Sequence, residues 1–338
     1  MVFLVMSALM LNPDAPPAGD AGPFVEALWL VQRYGTAAAV DPANDQKVKA
    51  ALAKSIGKDG KLSPSKLEGF MTPETFHKLG ASGGGLGAEE IKKLVHSSVP
   101  ESRKRLLPKV RQHADFLTTS LDQIGEPHRL ASRELVEWIV AYYRPKEALD
   151  VVVVCTGNSR RSILGAAAGN IAAAYYGMPE IRFHSGGTAP TACNSRTVNA
   201  LKSIGIDIEP TGKEAERGEP KTANPMYRVR WGGGAESGGT PPMEAMEFSK
   251  RYDDPANPQK GFAALMVCSE ADASCPFVKG ASLRVSMPYL DPKIYDGGSY
   301  ESAKYAERRD DMMRLMLAVM LQVRQRIAHA VPEKTPQG

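Results

Sequence analysis

Val151-Val152-Val153-Val154-Cys155-Thr156-Gly157-Asn158-Ser159-Arg160-Arg161-Ser162 reads as a strand, a loop and the first turn of a helix. Four consecutive valines have the β-branched, wholly apolar character of a strand buried on both faces of a parallel sheet. The Ala-rich stretch at 162–176 follows as a helix. A loop so placed turns its backbone N–H groups inward and sets an anion on the positive end of the helix dipole. Cys155 and Arg161 bracket it as Cys-x5-Arg, so a sulfur and a planar guanidinium can face one tetrahedral oxyanion from opposite sides. A cation about 4 Å from the sulfur, at an effective dielectric near 20, favours the ionised thiol by roughly 4 kcal/mol. Loop amides and the Ser162 hydroxyl add to this, so Cys155 is expected to be nucleophilic. The bland alternative is a strand-end cysteine beside a surface arginine, which leaves Gly157 and Ser162 unexplained.

Outward from this loop, short apolar runs recur at 180–184 and 262–268, with a weaker one at 283–287. Helical patterns separate them at 162–176 and 194–204, and a long one closes the chain at 299–327. Strand–helix alternation with right-handed crossovers implies an α/β fold with a doubly wound, open parallel sheet. Ligands of such sheets bind beyond the C-terminal ends of the strands. Residues 209–261 break the pattern with prolines, a glycine-rich 232–239 stretch and a hairpin signal at 226–231 and 243–248, and read as an insertion. Before the sheet, helices are expected at 23–36, at 102–124 (with Pro108 a kink or a true start) and at 131–143, which carries Leu135, Ile139, Val140 and Tyr143 on one stripe. Gly80 to Gly87 marks a flexible connection. The expected organisation is a disordered apolar, Pro/Gly-rich leader at 1–22, a mostly helical N-terminal region at 23–146 and an α/β domain at 147–331.

The chain has 338 residues, enough for two ordinary domains of roughly 100–200 residues. Forty-two basic against 38 acidic residues give a net charge of +4, too even to make nucleic acid the main partner. No run reaches the roughly 20 apolar residues of a membrane helix, so a cytoplasmic location is expected. Residues 2–11 have the length of a signal-peptide core but lack a preceding basic residue, which leaves export the weaker reading. Lys58-Asp59-Gly60-Lys61-Leu62-Ser63 faintly follows an EF-hand loop, yet its first, third and twelfth positions would be Ser55, Gly57 and Lys66, and no calcium site is expected. Arg103-Lys104-Arg105 is read as a solvated face. Four cysteines are too few for a disulfide framework. Cys268 and Cys275, before Pro276, form a Cys-x6-Cys pair starting at the end of an expected strand. Strand-end packing with an idle thiol is one reading of the pair. Zinc is another, but no histidine lies beside it, and zinc pairs are typically two to four residues apart.

Cys155-Thr-Gly-Asn-Ser-x-Arg-Ser162 resembles the loop of the low-molecular-weight protein tyrosine phosphatase superfamily, and within it is most similar to the thioredoxin-coupled arsenate reductases. The similarity spans about 148–331. Ser185-Gly186-Gly187-Thr188 resembles the turn whose serine supports the loop asparagine, here Asn158; Gly205-Ile206-Asp207-Ile208 and Asp291-Pro292 follow in the family's order. The resemblance implies an oxyanion-binding loop of Thr156, Gly157, Asn158, Ser159, Arg160 and Ser162 around Cys155 and Arg161, with Asp291 as general acid. It further implies that Cys155 attacks arsenate, that Cys268 attacks Cys155 with release of arsenite, and that Cys275 resolves the resulting disulfide. No bound cofactor is implied, only an external thioredoxin-like reductant. The alternative is hydrolysis of phosphotyrosine or small phosphoesters through a phosphocysteine, with Asp291 protonating the leaving group; a non-catalytic oxyanion sensor is a third reading. Cys193 receives no role. The chain departs from the family at four places: Arg160 replaces a second loop cysteine and is expected to add charge at the mouth; Ala166 stands where the reductases carry a potassium-binding glutamate; Lys293 and Ile294 replace an aromatic pair, with Tyr289 and Tyr295 flanking the Asp291 turn instead; and the 209–261 insertion and the N-terminal helical region have no counterpart in the small family members.

Overall fold

A computed structural model describes residues 100–118, 121–219, 221–237 and 239–328. The leader, the 23–36 helix, the Lys58–Ser63 segment and the 80–87 connection lie outside the described residues. Glu101–Leu117 and Ala131–Met320 form one compact unit; among the described residues Pro100, Thr118–Leu130 and the chain from Leu321 belong to a second.

A 3-10 turn at Glu101–Arg105 leads into α1 (Pro108–Thr118) and α2 (Glu126–Tyr142). Strands and helices then alternate through β1 (Leu149–Cys155), α3 (Arg161–Tyr175), β2 (Ile181–Gly187), α4 (Ser195–Lys202), β3 (Asp207–Glu214), β4 (Pro225–Gly234) and β5 (Thr240–Glu247). The chain continues through β6 (Phe262–Met266), α5 (Ser269–Ser274), β7 (Ala281–Ser286) and α6 (Glu301–Ala328). The helix expected over 102–124 is not continuous. Leu106 bridges to Gly232, and Pro108 opens α1, where its missing N–H leaves no bond unmade.

Strands β2, β1, β6 and β7, in that order, make a four-stranded, all-parallel sheet within an α/β architecture. The apolar runs become strands because both faces are covered: β6 is buried along its whole length, and β1 at every residue but Asp150. Helix α3 packs on β1 and β2 with every residue buried except Asn170. Its alanines and glycines permit that approach; a Cβ on Gly169 would lie 2.2 Å from the Phe183 ring. Asn170 pairs with the free side of edge strand β2, donating to Phe183 O (2.7 Å) and accepting from Phe183 N (3.0 Å).

From β1 the chain crosses to β2 on one side and later to β6 and β7 on the other. The order therefore reverses at the C-terminal end of β1, the place where open α/β sheets take ligands. The interruption after α4 is a second sheet, an antiparallel β3–β4–β5 meander. Its β4–β5 pair is the expected hairpin. Strand β3 was not expected, because it is almost entirely exposed and contains Pro210. No helix among the described residues is long and apolar enough to cross a membrane.

Candidate active site

Cys155 ends β1 and Ser162 stands in the first turn of α3; both are buried, and Cys155 Sγ lies 3.1 Å from Ser162 Oγ. The carbonyls shape the loop between them. Cys155 O, Thr156 O and Gly157 O accept from the N–H groups of Thr188, Ala189 and Thr191, and Ser159 O accepts from that of Asn194. Across a trans peptide, the carbonyl of one residue and the N–H of the next point in opposite directions. The N–H groups of Thr156, Gly157, Asn158 and Arg160 therefore turn away from the 188–194 segment, toward the inner side of the loop, which makes a concavity suited to an anion. Gly187 backs this arrangement closely: a Cβ there would meet Thr156 O at 2.6 Å and Asn158 N at 2.9 Å.

Asn158 is fully buried, at φ +40°, a left-handed conformation that asparagine tolerates better than most residues. Its Nδ2 donates to Ser162 Oγ and to Ser185 Oγ, each at 2.8 Å, while its Oδ1 accepts from Lys250 N at 2.8 Å. Ser185 donates onward to Glu247 Oε1 at 2.6 Å. Ser249 Oγ donates to Gly157 O at 3.0 Å and accepts from Thr191 N at 3.1 Å. Glu247, Ser249 and Lys250 are functional candidates that sequence reasoning missed. Ser249 and Lys250 stand 92 positions from the atoms they hold, and no local pattern marks them.

Arg161 is buried and donates Nη1 to Tyr289 O at 3.0 Å; its Nη2 pairs with Asp291 Oδ2 at 2.9 Å and its Nη1 with Glu270 Oε2 at 3.7 Å. The buried Nε–H of Arg161 meets no acceptor among the described residues. Asp291 uses its other oxygen to cap the 3-10 turn Pro292–Tyr295, accepting from Lys293 N at 3.0 Å. One carboxylate is thus both a turn cap and the partner of the loop arginine. Arg160, expected to add charge at the mouth, is held by partners: Nε donates to Tyr305 Oη at 2.6 Å and Nη2 to Asp296 Oδ2 at 3.1 Å. Beside Asp291 the exposed side chains are Leu290, Lys293 and Ile294, whereas Tyr289 is buried.

Strand β6 runs parallel to β1 with Met266 opposite Val154, which brings Cys268 out beside the loop. Cys268 Sγ is 3.4 Å from Thr156 Oγ1, and it accepts from Ala271 N at 3.3 Å as the cap of α5. Cys275 closes the same helix and donates its S–H to Phe277 O at 3.3 Å. Cys193 is buried apart from this group; burial first, and then the charge of Glu247, pushes its thiol well above the usual range. All four cysteines are free thiols. Among the described residues, no group of three or more His, Cys, Asp or Glu side chains is arranged to hold a metal ion. Taken together, this end of the sheet can offer an anion inward-facing amides, a guanidinium and a thiol, with a carboxylate and a second thiol at its edge. No known family model matches the chain, and no curated protein matches it.

Proposed function

We propose that the chain is a cysteine-dependent oxyanion enzyme that reduces arsenate through a thiol relay. Cys155 attacks the arsenic(V) of arsenate held by the loop amides and Arg161, forming a sulfur–arsenic bond as an oxygen leaves as water. Cys268 then attacks the Cys155 sulfur. The electron pair of the sulfur–arsenic bond passes to arsenic, arsenite departs, and two thiols have been oxidised to one disulfide. Cys275 attacks Cys268, frees Cys155 as a thiolate and leaves a Cys268–Cys275 disulfide for an external thioredoxin-like dithiol to reduce. The observation that carries this reading is the position of Cys268 Sγ, 3.4 Å from the hydroxyl of the residue next to Cys155. Four free thiols fit a reducing, cytoplasmic compartment. Protein supplied with arsenate, thioredoxin, thioredoxin reductase and NADPH is expected to consume NADPH, and Cys268→Ser to stop it; folded wild type that consumes none overturns the reading.

A second reading rests on Asp291, whose Oδ2 lies 2.9 Å from the Arg161 guanidinium. A carboxyl so placed can protonate the leaving oxygen of a phosphate ester and then activate water. Hydrolysis of para-nitrophenyl phosphate that survives Cys268→Ser but is lost with Cys155→Ser favours this phosphatase chemistry. One oxyanion cradle can serve both reactions.

A further inference from the structure

We propose that Glu247, the last residue of β5, is a positioning residue: through Ser185, Asn158 and Ser162 it fixes the direction of the hydrogen bonds that end on Cys155. The inference rests on the reading of Cys155 as the nucleophile. The direction of each link follows from the groups at the two ends of the chain, Lys250 N behind Asn158 and Glu247 behind Ser185. The backbone N–H of Lys250 can only donate, so the side-chain oxygen of Asn158 must face it, and the NH2 group of Asn158 must face the two serines. Ser162 Oγ and Ser185 Oγ therefore both accept from Asn158. The Ser185 proton is then directed to the Glu247 carboxylate, a charge-assisted bond of 2.6 Å. The Ser162 proton is directed to Cys155 Sγ, where it supports a thiolate.

Glu247 belongs to the inserted antiparallel sheet, not to the strand–loop–helix unit it serves. Its Oε1 also accepts from Phe248 N at 3.1 Å and faces Lys250 Nζ at 3.5 Å; the buried Cys193 thiol lies nearby and stays neutral. A glutamine at 247, its oxygen held in place by Phe248 N, keeps an acceptor for Ser185 but removes the charge, which weakens the bond that anchors the Ser185 proton and loosens the chain as far as Ser162.

Two physical accounts of Glu247 give opposite signs. If it acts only through space, removing its negative charge favours the Cys155 thiolate. If it acts through the hydrogen-bond chain, removing its charge disfavours the thiolate. The test is alkylation of full-length protein by iodoacetamide across pH 5–9, read by mass spectrometry on the peptide that contains Cys155. Glu247→Gln is expected to slow Cys155 labelling at pH 6 by about three- to tenfold and to move the rate profile to higher pH, as loss of one charge-assisted bond implies. Ser185→Ala, which cuts the same chain at a smaller side chain, is expected to act in the same direction, and it decides the matter if Glu247→Gln does not fold. Equal or faster labelling in a folded variant overturns the proposal. Wild-type Cys155 that labels no faster than glutathione defeats the functional reading as well, whereas a fast wild type with an unchanged variant defeats the role of Glu247 alone.

Discussion

Adjacent arginines with the same charge have different partners. Arg161 points its fork at Asp291 and the Tyr289 carbonyl, with a buried Nε–H that meets no acceptor among the described residues. Arg160 instead grips Tyr305 and Asp296, while Tyr305 itself donates to Asp296 at 2.8 Å. Burial chiefly pushes the Tyr305 phenol up to about 12, so it remains a donor at neutral pH. Arg160 thus ties the Cys155–Ser162 loop to the segment just beyond the Asp291 turn. If the loop binds a tetrahedral oxyanion, Arg161→Lys is expected to lower kcat/KM by about a hundredfold, because a lysine cannot replace the planar fork. Arg160→Met is expected to cost less than about tenfold, mainly in kcat, by loosening the Asp291 turn while leaving the cradle amides in place. Steady-state kinetics on arsenate and on an aryl phosphate separate the two, and equal losses would refute the assignment. The partners of Arg160 could not be read from its neighbourhood in the sequence, because they lie 136 and 145 positions away. The strand–loop–helix form was legible because it is contained in consecutive residues, Val151 to Ser162.

At the level of elements, α5 sets a constraint on the proposed relay. Helix rise is about 1.5 Å per residue, so the Cα atoms of Cys268 and Cys275 stand about 10 Å apart while it is wound, whereas a disulfide requires less than about 7 Å. The helix must unwind before this pair can close. Opposing that, Arg284 of β7 bonds Asp272 Oδ1 at 2.5 Å, Asp272 O at 2.8 Å and Cys275 O at 3.1 Å, and Ser286 Oγ bonds Asp272 Oδ2 at 2.8 Å. Asp272→Asn weakens this clamp and is expected to speed Cys268–Cys275 disulfide formation under diamide by about three- to tenfold, read by mass spectrometry. An unchanged rate would mean that opening of α5 does not limit closure. Neither α5 nor β3 could be read from sequence, for related reasons. A six-residue helix is too short to nucleate by itself and stands on Cys268 and Arg284, while β3 owes its extended form to pairing with β4 rather than to an apolar face of its own. Strands β1 and β6 were legible because burial on both faces demands continuous apolar runs, whereas the edge strands β2 and β7 carry exposed positions such as Arg182 and Ser282 and so a more broken pattern.

Across the compact unit, two neighbouring residues of α6 bond to elements distant in sequence. Arg309 is buried and donates Nη1 to Ala200 O and Ser203 Oγ, both at 2.7 Å, which caps the C-terminal end of α4 with a cation. Asp310 accepts from His113 of α1 at 2.7 Å and from Arg309 Nε at 2.7 Å. Helices α1, α4 and α6 are therefore joined through one ionic cluster that no short stretch of sequence contains. Burial by itself would raise the Asp310 carboxyl, but the His113 and Arg309 bonds outweigh it and hold the group below the usual carboxylate range. A carboxyl that is more acidic in the folded chain than in the unfolded one adds stability above its unfolded value, near 3.9, and loses it as pH falls through the folded value. Asp310→Asn is accordingly expected to lower unfolding free energy by about 1–3 kcal/mol at pH 7, measured from urea midpoints. The difference from wild type should narrow steadily below pH 4 as wild-type Asp310 takes up its proton. A gap of the same size at pH 2.5 and pH 7 would show that shape, rather than charge, is what Asp310 contributes to the join between α1 and α6.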